Sequence, residues 1–262
     1  MNWIEANGAS LRYDLSGSGP ETVVLIHEVG GSIESWDEAH PAFRQQFRVL
    51  RYDQRGFGMS EKTGVITMDG IVADLVALLD ALQIGGPVHL VGCAMGAAIA
   101  LAFAGRYPTR IGRIVAASPA TWANADPVVA RKRIEDTERG GLRAVERASL
   151  NASYPESMRV LDRARFEHFR RRWLGNDPEA MTAILRMSTN PEFDLSPDLA
   201  RIRAPTLVIG CTHDGIRTPG MVAKVATAIS GAKYVEASSG HFMVVETPEL
   251  FVALAVPFLR GA

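Results

Sequence analysis

Apolar positions along the 262-residue chain follow two different periods. Alternation at Asn2–Glu5 and again at Leu11–Leu15, with the turn residues Asn7 and Gly8 between them, predicts an opening antiparallel hairpin. Continuous apolar runs follow at Thr22–Ile26, Phe47–Tyr52, Val88–Val91, Ile111–Ala117 and Pro205–Gly210, each short and rich in Val, Ile and Leu. Runs of this kind predict strands buried on both faces of a parallel sheet.

Helical periodicity fills the intervals. From a capping residue at Thr67, the positions Ile71, Leu75, Leu78, Leu79 and Leu82 recur at three- and four-residue spacing. They form one apolar stripe, which Gly85 and Gly86 are expected to end. A second helix is predicted over Ala94–Arg106, where Gly96, Ala97, Ala98, Ala100 and Ala102 leave room for close approach to a sheet. Strand and helix in alternation predict a doubly wound α/β fold. From Pro119 to Ala200 the strand-like runs cease, and charged amphipathic helices take over, interrupted at Gly140–Gly141, Pro155, Gly175–Pro178 and Pro191. The expectation is a core of residues 1–118 and 201–262, with residues 119–200 inserted as a helical lid over the carboxyl ends of the strands, where open α/β sheets bind ligands.

Charge narrows the partners. Lys and Arg number 28 against 29 acidic residues, without blocks of one sign, so neither nucleic acid nor an anionic membrane is an expected partner. A small molecule is. The absence of any long apolar run or leader-like start predicts a cytoplasmic protein, and the two cysteines, Cys93 and Cys211, are expected to be reduced. His40, His89, His168 and His213 lie apart, with no metal-ligand spacing, and the glycine turns match no dinucleotide fingerprint. No metal or cofactor is expected.

Candidate chemistry collects where strands end. Gly92-Cys93-Ala94-Met95-Gly96 joins a strand directly to a helix and resembles the nucleophile elbow, Gly-x-Ser-x-Gly, of the α/β-hydrolase superfamily. Ala94 stands where that motif has serine. Taking Cys93 as the centre instead would put Val91 and Met95 at positions that need small residues, whereas the Ala94 frame puts Gly92 and Gly96 there. His27-Glu28-Val29-Gly30-Gly31-Ser32 is similar to the oxyanion loop of the same superfamily. The resemblance implies that the Val29 and Met95 amides face a developing oxyanion, at about 3–4 kcal/mol per donor in the transition state. Glu28 departs from the motif's usual glycine and is either a specificity element or solvated; His27 is read as structural. Asp53-Gln54-Arg55-Gly56-Phe57-Gly58-Met59-Ser60 is similar to a family turn of architectural role, with Asp53 and Arg55 expected in one local polar network. Asp214 and His241 fall where the resemblance places the acid and the base, in the order nucleophile, acid, histidine, with Asp126 a distant reserve for the acid.

The resemblance implies a mostly parallel eight-stranded sheet flanked by helices, and a serine hydrolase that works through an acyl-enzyme on a small ester or lactone. Amide or carbon-carbon bond hydrolysis on the same triad stays open. The lid arrangement resembles that of enol-lactonase and related ring-degradation hydrolases, which implies a small, carboxylate-bearing substrate. Substrate contacts are expected from Glu28, Trp122, Arg147, Trp173 and Phe242, with an arginine of the lid, which carries Arg143 and Arg147, as carboxylate clamp and most lid arginines in solvated ion pairs. Alanine carries no nucleophilic atom, so covalent catalysis cannot run as the chain stands. Either the protein is a natural small-molecule binder, or a serine has been replaced at position 94 so as to trap substrate. The intact remainder of the machinery favours the second. Loss of a triad serine costs on the order of 10⁶ in turnover while leaving a binding site in place.

Overall fold

The computed structural model describes residues 1–261. The hairpin and the apolar runs form β1 (Asn2–Ala6), β2 (Ala9–Ser16), β3 (Thr22–Ile26), β4 (Arg48–Tyr52), β5 (Val88–Cys93), β6 (Ile111–Ala117) and β7 (Thr206–Cys211), and an eighth strand that no apolar run marked, β8 (Lys233–Ala237), completes the set. All eight lie in one sheet, in the order β1-β2-β4-β3-β5-β6-β7-β8. The β1–β2 and β2–β4 pairs are antiparallel and the rest parallel. Every residue of β5 and of β7 is buried, as strands covered by helices on both faces must be.

Helices α1 (His40–Arg44), α2 (Met68–Ala81) and α3 (Met95–Arg106) follow β3, β4 and β5. Between β6 and β7 lie α4 (Pro127–Ser153), α5 (Glu156–Leu161), α6 (Arg163–Leu174), α7 (Pro178–Thr189) and α8 (Ser196–Leu199). The chain closes with α9 (Pro219–Ala228), α10 (Met243–Glu246) and α11 (Pro248–Leu259). Among the described residues no helix is long and apolar enough to cross a membrane.

Strand order fixes where a site can form. The chain runs outward from β3 to β4 and then returns to place β5 on the other side of β3, so the loops leaving β3 and β5 diverge. A crevice opens at such a switch point, and residues 27–32 and 93–96 border it. α3 seats itself there because it has almost no side chains in the way: Met95 to Gly105 are all buried. A methyl group at Gly105 would overlap the backbone of Asp198 at the end of α8.

Two local features differ from the sequence reading. α2 is capped by Thr67, whose hydroxyl accepts the Gly70 amide at 3.0 Å, but Gly85 and Gly86 do not end it. Gln83 does, in the left-handed region at φ 56°, with the Ile84 amide donating to Leu79 and the Gln83 amide to Asp80. Burial of Ile84 against the helix stabilises this closure without glycine. Likewise no hydrogen bond joins Asp53 to Arg55. Asp53 accepts from Arg12 (3.1 Å) and from the Ile33 and Met59 amides, while Arg55 pairs with Asp74. The two side chains leave the turn in different directions.

The helical segment after β6 kinks at Gly141 (φ 65°). Its two ends are tied together at the sheet by a Trp122–Asp194 bridge, with the Ala123 amide donating to Phe193 and the Leu195 amide to Thr121. Between α5 and α6 the break falls at Asp162, with neither Gly nor Pro; its carboxylate accepts the Arg165 amide at 2.9 Å and starts the next helix.

Gly105→Ala tests the close approach of α3 and α8. Overpacking against backbone is expected to lower the unfolding free energy by about 1–3 kcal/mol, read as a fall in urea midpoint at unchanged slope. An unchanged midpoint would show that the two helices separate freely.

Candidate active site

Ala94 connects β5 to α3 with φ 53° and ψ −114°, a conformation that costs a residue with a side chain about 1–3 kcal/mol and persists only where its surroundings enforce it. The enforcement is visible. A Cβ at Gly92 would meet the backbone of Gly96 and Ala97, and a Cβ at Gly96 would meet the carbonyls of Ile26 and His27. With both glycines in place the turn closes, and Ala94 borders a cavity of about 150 Å³. Cys93 does not border it. Its thiol is fully buried on the opposite side and donates to the His241 carbonyl at 3.4 Å; burial pushes its pKa well above the usual thiol range.

Val29 and Met95 border the same cavity. Their amide N–H groups donate to no acceptor among the described residues, and the Met95 amide is the first of the unpaired donors at the start of α3. Behind the loop, buried His27 donates from Nδ1 to the Glu28 carbonyl (2.7 Å) and accepts the Gln54 amide at Nε2 (3.0 Å), tying the end of β3 to the turn after β4. Glu28 is neither at the cavity nor solvated, which corrects both alternatives. Its side chain is fully buried beneath Gly31, where a Cβ would overlap the carboxylate, and it accepts the Ser35 hydroxyl at 2.8 Å. Glycine at 31 leaves the space that Glu28 fills.

Asp214 and His241 come from the loops that follow β7 and β8. Asp214 Oδ2 lies 2.8 Å from His241 Nδ1, and its Oδ1 accepts the Ile216 and Arg217 amides at 2.8 and 2.9 Å. Burial alone would raise the Asp214 pKa; the His241 ring and the amide hydrogen bonds outweigh it and hold the carboxylate below its usual range. With Nδ1 donating to Asp214, Nε2 of His241 has no partner among the described residues, and the ring borders the cavity. Asp126, the reserve acid, is instead the cap of α4, accepting the Val128 and Val129 amides.

A further acid holds the histidine loop. Glu246 is 3% exposed, and its carboxyl accepts the Gly240 amide (2.7 Å) and the Phe242 amide (3.0 Å), the two peptide groups flanking His241. Together with the Cys93 thiol on the His241 carbonyl, it fixes the backbone at His241. Burial pushes the Glu246 pKa up to about 8. The sequence does contain a signal for it, a single acid directly after the buried run Met243–Val245 and five residues past the histidine.

Of the expected substrate contacts, Trp173 and Phe242 border the cavity, with the Trp173 indole packed against Gly30. Trp122 does not reach it. Its ring lies 5.9 Å from the guanidinium of Arg217, which does. Arg147 is exposed on the outer face of α4, beside Arg143 and Glu146, because Leu142, Val145 and Ser149 turn the opposite face inward. The arginines at the cavity are Arg133 and Arg217, which sequence reasoning missed. Arg133 stands one turn before buried Thr137 on the inward face of α4, a spacing that the sequence displays only once the direction of that face is known.

A doubly wound sheet with a strained strand-to-helix turn, two unclaimed amides and a carboxylate-backed imidazole at one cavity defines a class, the α/β hydrolases. The family model for the alpha/beta hydrolase fold matches residues 21–248, and the chain belongs to that family. It is 31% identical to the pyrrolizixenacetamide deacetylase of Xenorhabdus hominickii, over 99% of this chain and 98% of that one. Among solved structures it is similar to the enol-lactonase of Burkholderia xenovorans LB400 (TM-score 0.92, 28% identity, 99% and 100% of the two chains). It is also similar to a malate-bound thermophilic esterase from Thermogutta terrifontis (TM-score 0.91, 25% identity, 100% and 99%).

Glu246 gives a pH test. Its folded-state pKa of about 8 lies above the ordinary 4.5, so the folded protein keeps a proton that the unfolded chain sheds between those values. The stability this confers is complete below pH 4.5 and is lost as pH rises through about 8. Glu246→Gln is expected to cost about 1–3 kcal/mol at pH 5.5, since one loop amide loses its acceptor, and less at pH 8.5. Parallel urea curves for the two proteins, with a constant gap between pH 5.5 and 8.5, would contradict this assignment.

Proposed function

We propose that the protein is a hydrolase of a small carboxylic ester or lactone, built to work through an acyl-enzyme formed at position 94. As the chain stands, with alanine there, it holds substrate without covalent turnover. The observation that carries this reading is the meeting of Ala94, the Asp214–His241 pair and the free amides of Val29 and Met95 at one cavity.

With serine at position 94, Nε2 of His241 takes the hydroxyl proton as the oxygen attacks the acyl carbon. Asp214 keeps Nδ1 protonated and stabilises the imidazolium that forms. Negative charge develops on the carbonyl oxygen, toward the Val29 and Met95 amides and the positive end of α3, each donor contributing about 3–4 kcal/mol. The imidazolium returns its proton to the leaving oxygen. Water then attacks the acyl group by the same route, regenerating the hydroxyl and releasing the acid. Residues 119–200 serve as a lid, with Trp173 and the helices around it excluding bulk water from the reacting carbonyl. The cavity, at about 150 Å³, is smaller than the roughly 300 Å³ at which drug-sized pockets begin, which favours a short acyl compound. An amide is the second reading, favoured by the deacetylase relative.

The deciding variant is Ala94→Ser, assayed on p-nitrophenyl acetate, a five-membered lactone and N-phenylacetamide. Turnover of at least one of them is expected to exceed that of the alanine chain by about 10⁴-fold or more, approaching 10⁶. Adding His241→Ala should remove most of that gain. A folded Ala94→Ser protein no faster than the parent on all three compounds would leave a binding protein as the better description.

A further inference from the structure

Arg133 and Arg217 reach the cavity from different elements, Arg133 from α4 and Arg217 from the loop that follows β7. Neither makes an ion pair or a side-chain hydrogen bond among the described residues. Arg217 is only 4% exposed, and its Nε and Nη1 are buried with no acceptor; the Nε of Arg133 is in the same state. Arg172 also has Nε and Nη1 buried without an acceptor, but it does not border this cavity, and other arginines are paired. On the helical segment Arg170 pairs with Glu146 and Glu167, Arg186 with Glu138, and Arg165 with Glu38. At the cavity the one acid near Arg217 is Asp214, whose oxygens are already taken by His241 and two amides. Burial pulls the Arg217 pKa down to about 10, so the group stays charged at neutral pH. A buried, charged and unpartnered guanidinium is strongly unfavourable unless something else satisfies it.

The surroundings hold Arg217 in place for a partner that is not part of the chain. Its own amide is fixed by Asp214 Oδ1, its guanidinium is backed by the ring of Trp122, and the unpartnered hydroxyl of buried Ser149 borders the same cavity. A carboxylate matches this set. It offers two oxygens in one plane to a guanidinium fork, with lone pairs left over for a second cation and a hydroxyl. A tetrahedral phosphate brings twice the charge and more bulk to a cavity of about 150 Å³.

We propose that Arg133, Arg217 and Ser149 form a carboxylate subsite, so that the ligand is a small acyl compound carrying a free acid group in addition to its scissile bond. The acyl half of that statement rests on the hydrolase reading above; the anion subsite does not.

Binding to the chain as it exists, with alanine at 94, tests the subsite without turnover. The probes are monomethyl glutarate, dimethyl glutarate and inorganic phosphate, titrated by calorimetry at low salt. The mono-acid is expected to bind about tenfold or more tightly than the diester, and the preference to fall with added salt. Arg217→Gln should abolish the preference, Arg133→Gln weaken it and Arg217→Lys retain part of it, while Arg147→Gln on the outer face leaves it unchanged. Equal binding of mono-acid and diester, a preference that survives Arg133→Gln and Arg217→Lys undiminished, tighter binding of phosphate, or no binding of the mono-acid would each overturn the subsite. Hydrolysis of neutral esters by Ala94→Ser with no acid preference would sink the subsite alone; acid preference with an inert Ala94→Ser would sink the hydrolase reading alone.

Discussion

The backbone conformation of residue 94 is the constraint on which the rest of the site depends. A buried strand passes into a buried helix with a single residue at positive φ between them, and this works only because β3, β5 and the first turn of α3 are in backbone contact. That contact places the Met95 amide beside the loop leaving β3, and it puts the side chain of residue 94 at the switch point of the sheet. The strain is sustained by the burial of α3, whose alanines and glycines let the helix lie against the strands with no intervening side chains.

The loops that supply the other groups have little regular structure, and side-chain hydrogen bonds to backbone amides hold them instead. Asp53 takes the Ile33 and Met59 amides while Arg12 bridges it to Glu34, whose pKa falls to about 2 as the hydrogen bonds from Arg12 and Ser32 outweigh burial. Asp214 takes two amides beyond the acid position, and Glu246 takes the two that flank His241. Each of these carboxyl groups converts a flexible connection into a defined one, and Asp214 and Glu246 thereby hold the His241 ring at a fixed point. Against this background of satisfied charge, the arginines at the cavity, Arg133 and Arg217, have guanidinium nitrogens buried without an acceptor.

Much of this was legible along the sequence because it is written in short range. Strand runs and the glycine-flanked turn at Ala94 follow from local composition, since each depends on what a few neighbouring residues can do with their backbone, whereas the loop at Val29 and the positions of Asp214 and His241 are read from their resemblance to family motifs. The same logic failed for Gln83, where burial of Ile84 replaced the glycine that a helix end usually needs. It failed also for Glu28, Trp122 and Arg147, whose residue types suited ligand contact and whose side chains point elsewhere.

What the sequence determined by itself was therefore the run of strands from the opening hairpin to Pro205–Gly210, the helices between them and the strained turn, because periodicity and glycine placement are properties of adjacent residues. Only the tertiary structure decided which way α4 faces, which arginines lack an acid and which glutamate braces the histidine loop. Those outcomes depend on contacts between residues far apart in the chain, such as Cys93 with His241, Arg217 with Trp122 and the two ends of the helical segment with each other. The burial and direction of a side chain are set by what packs against it, and no local pattern encodes that.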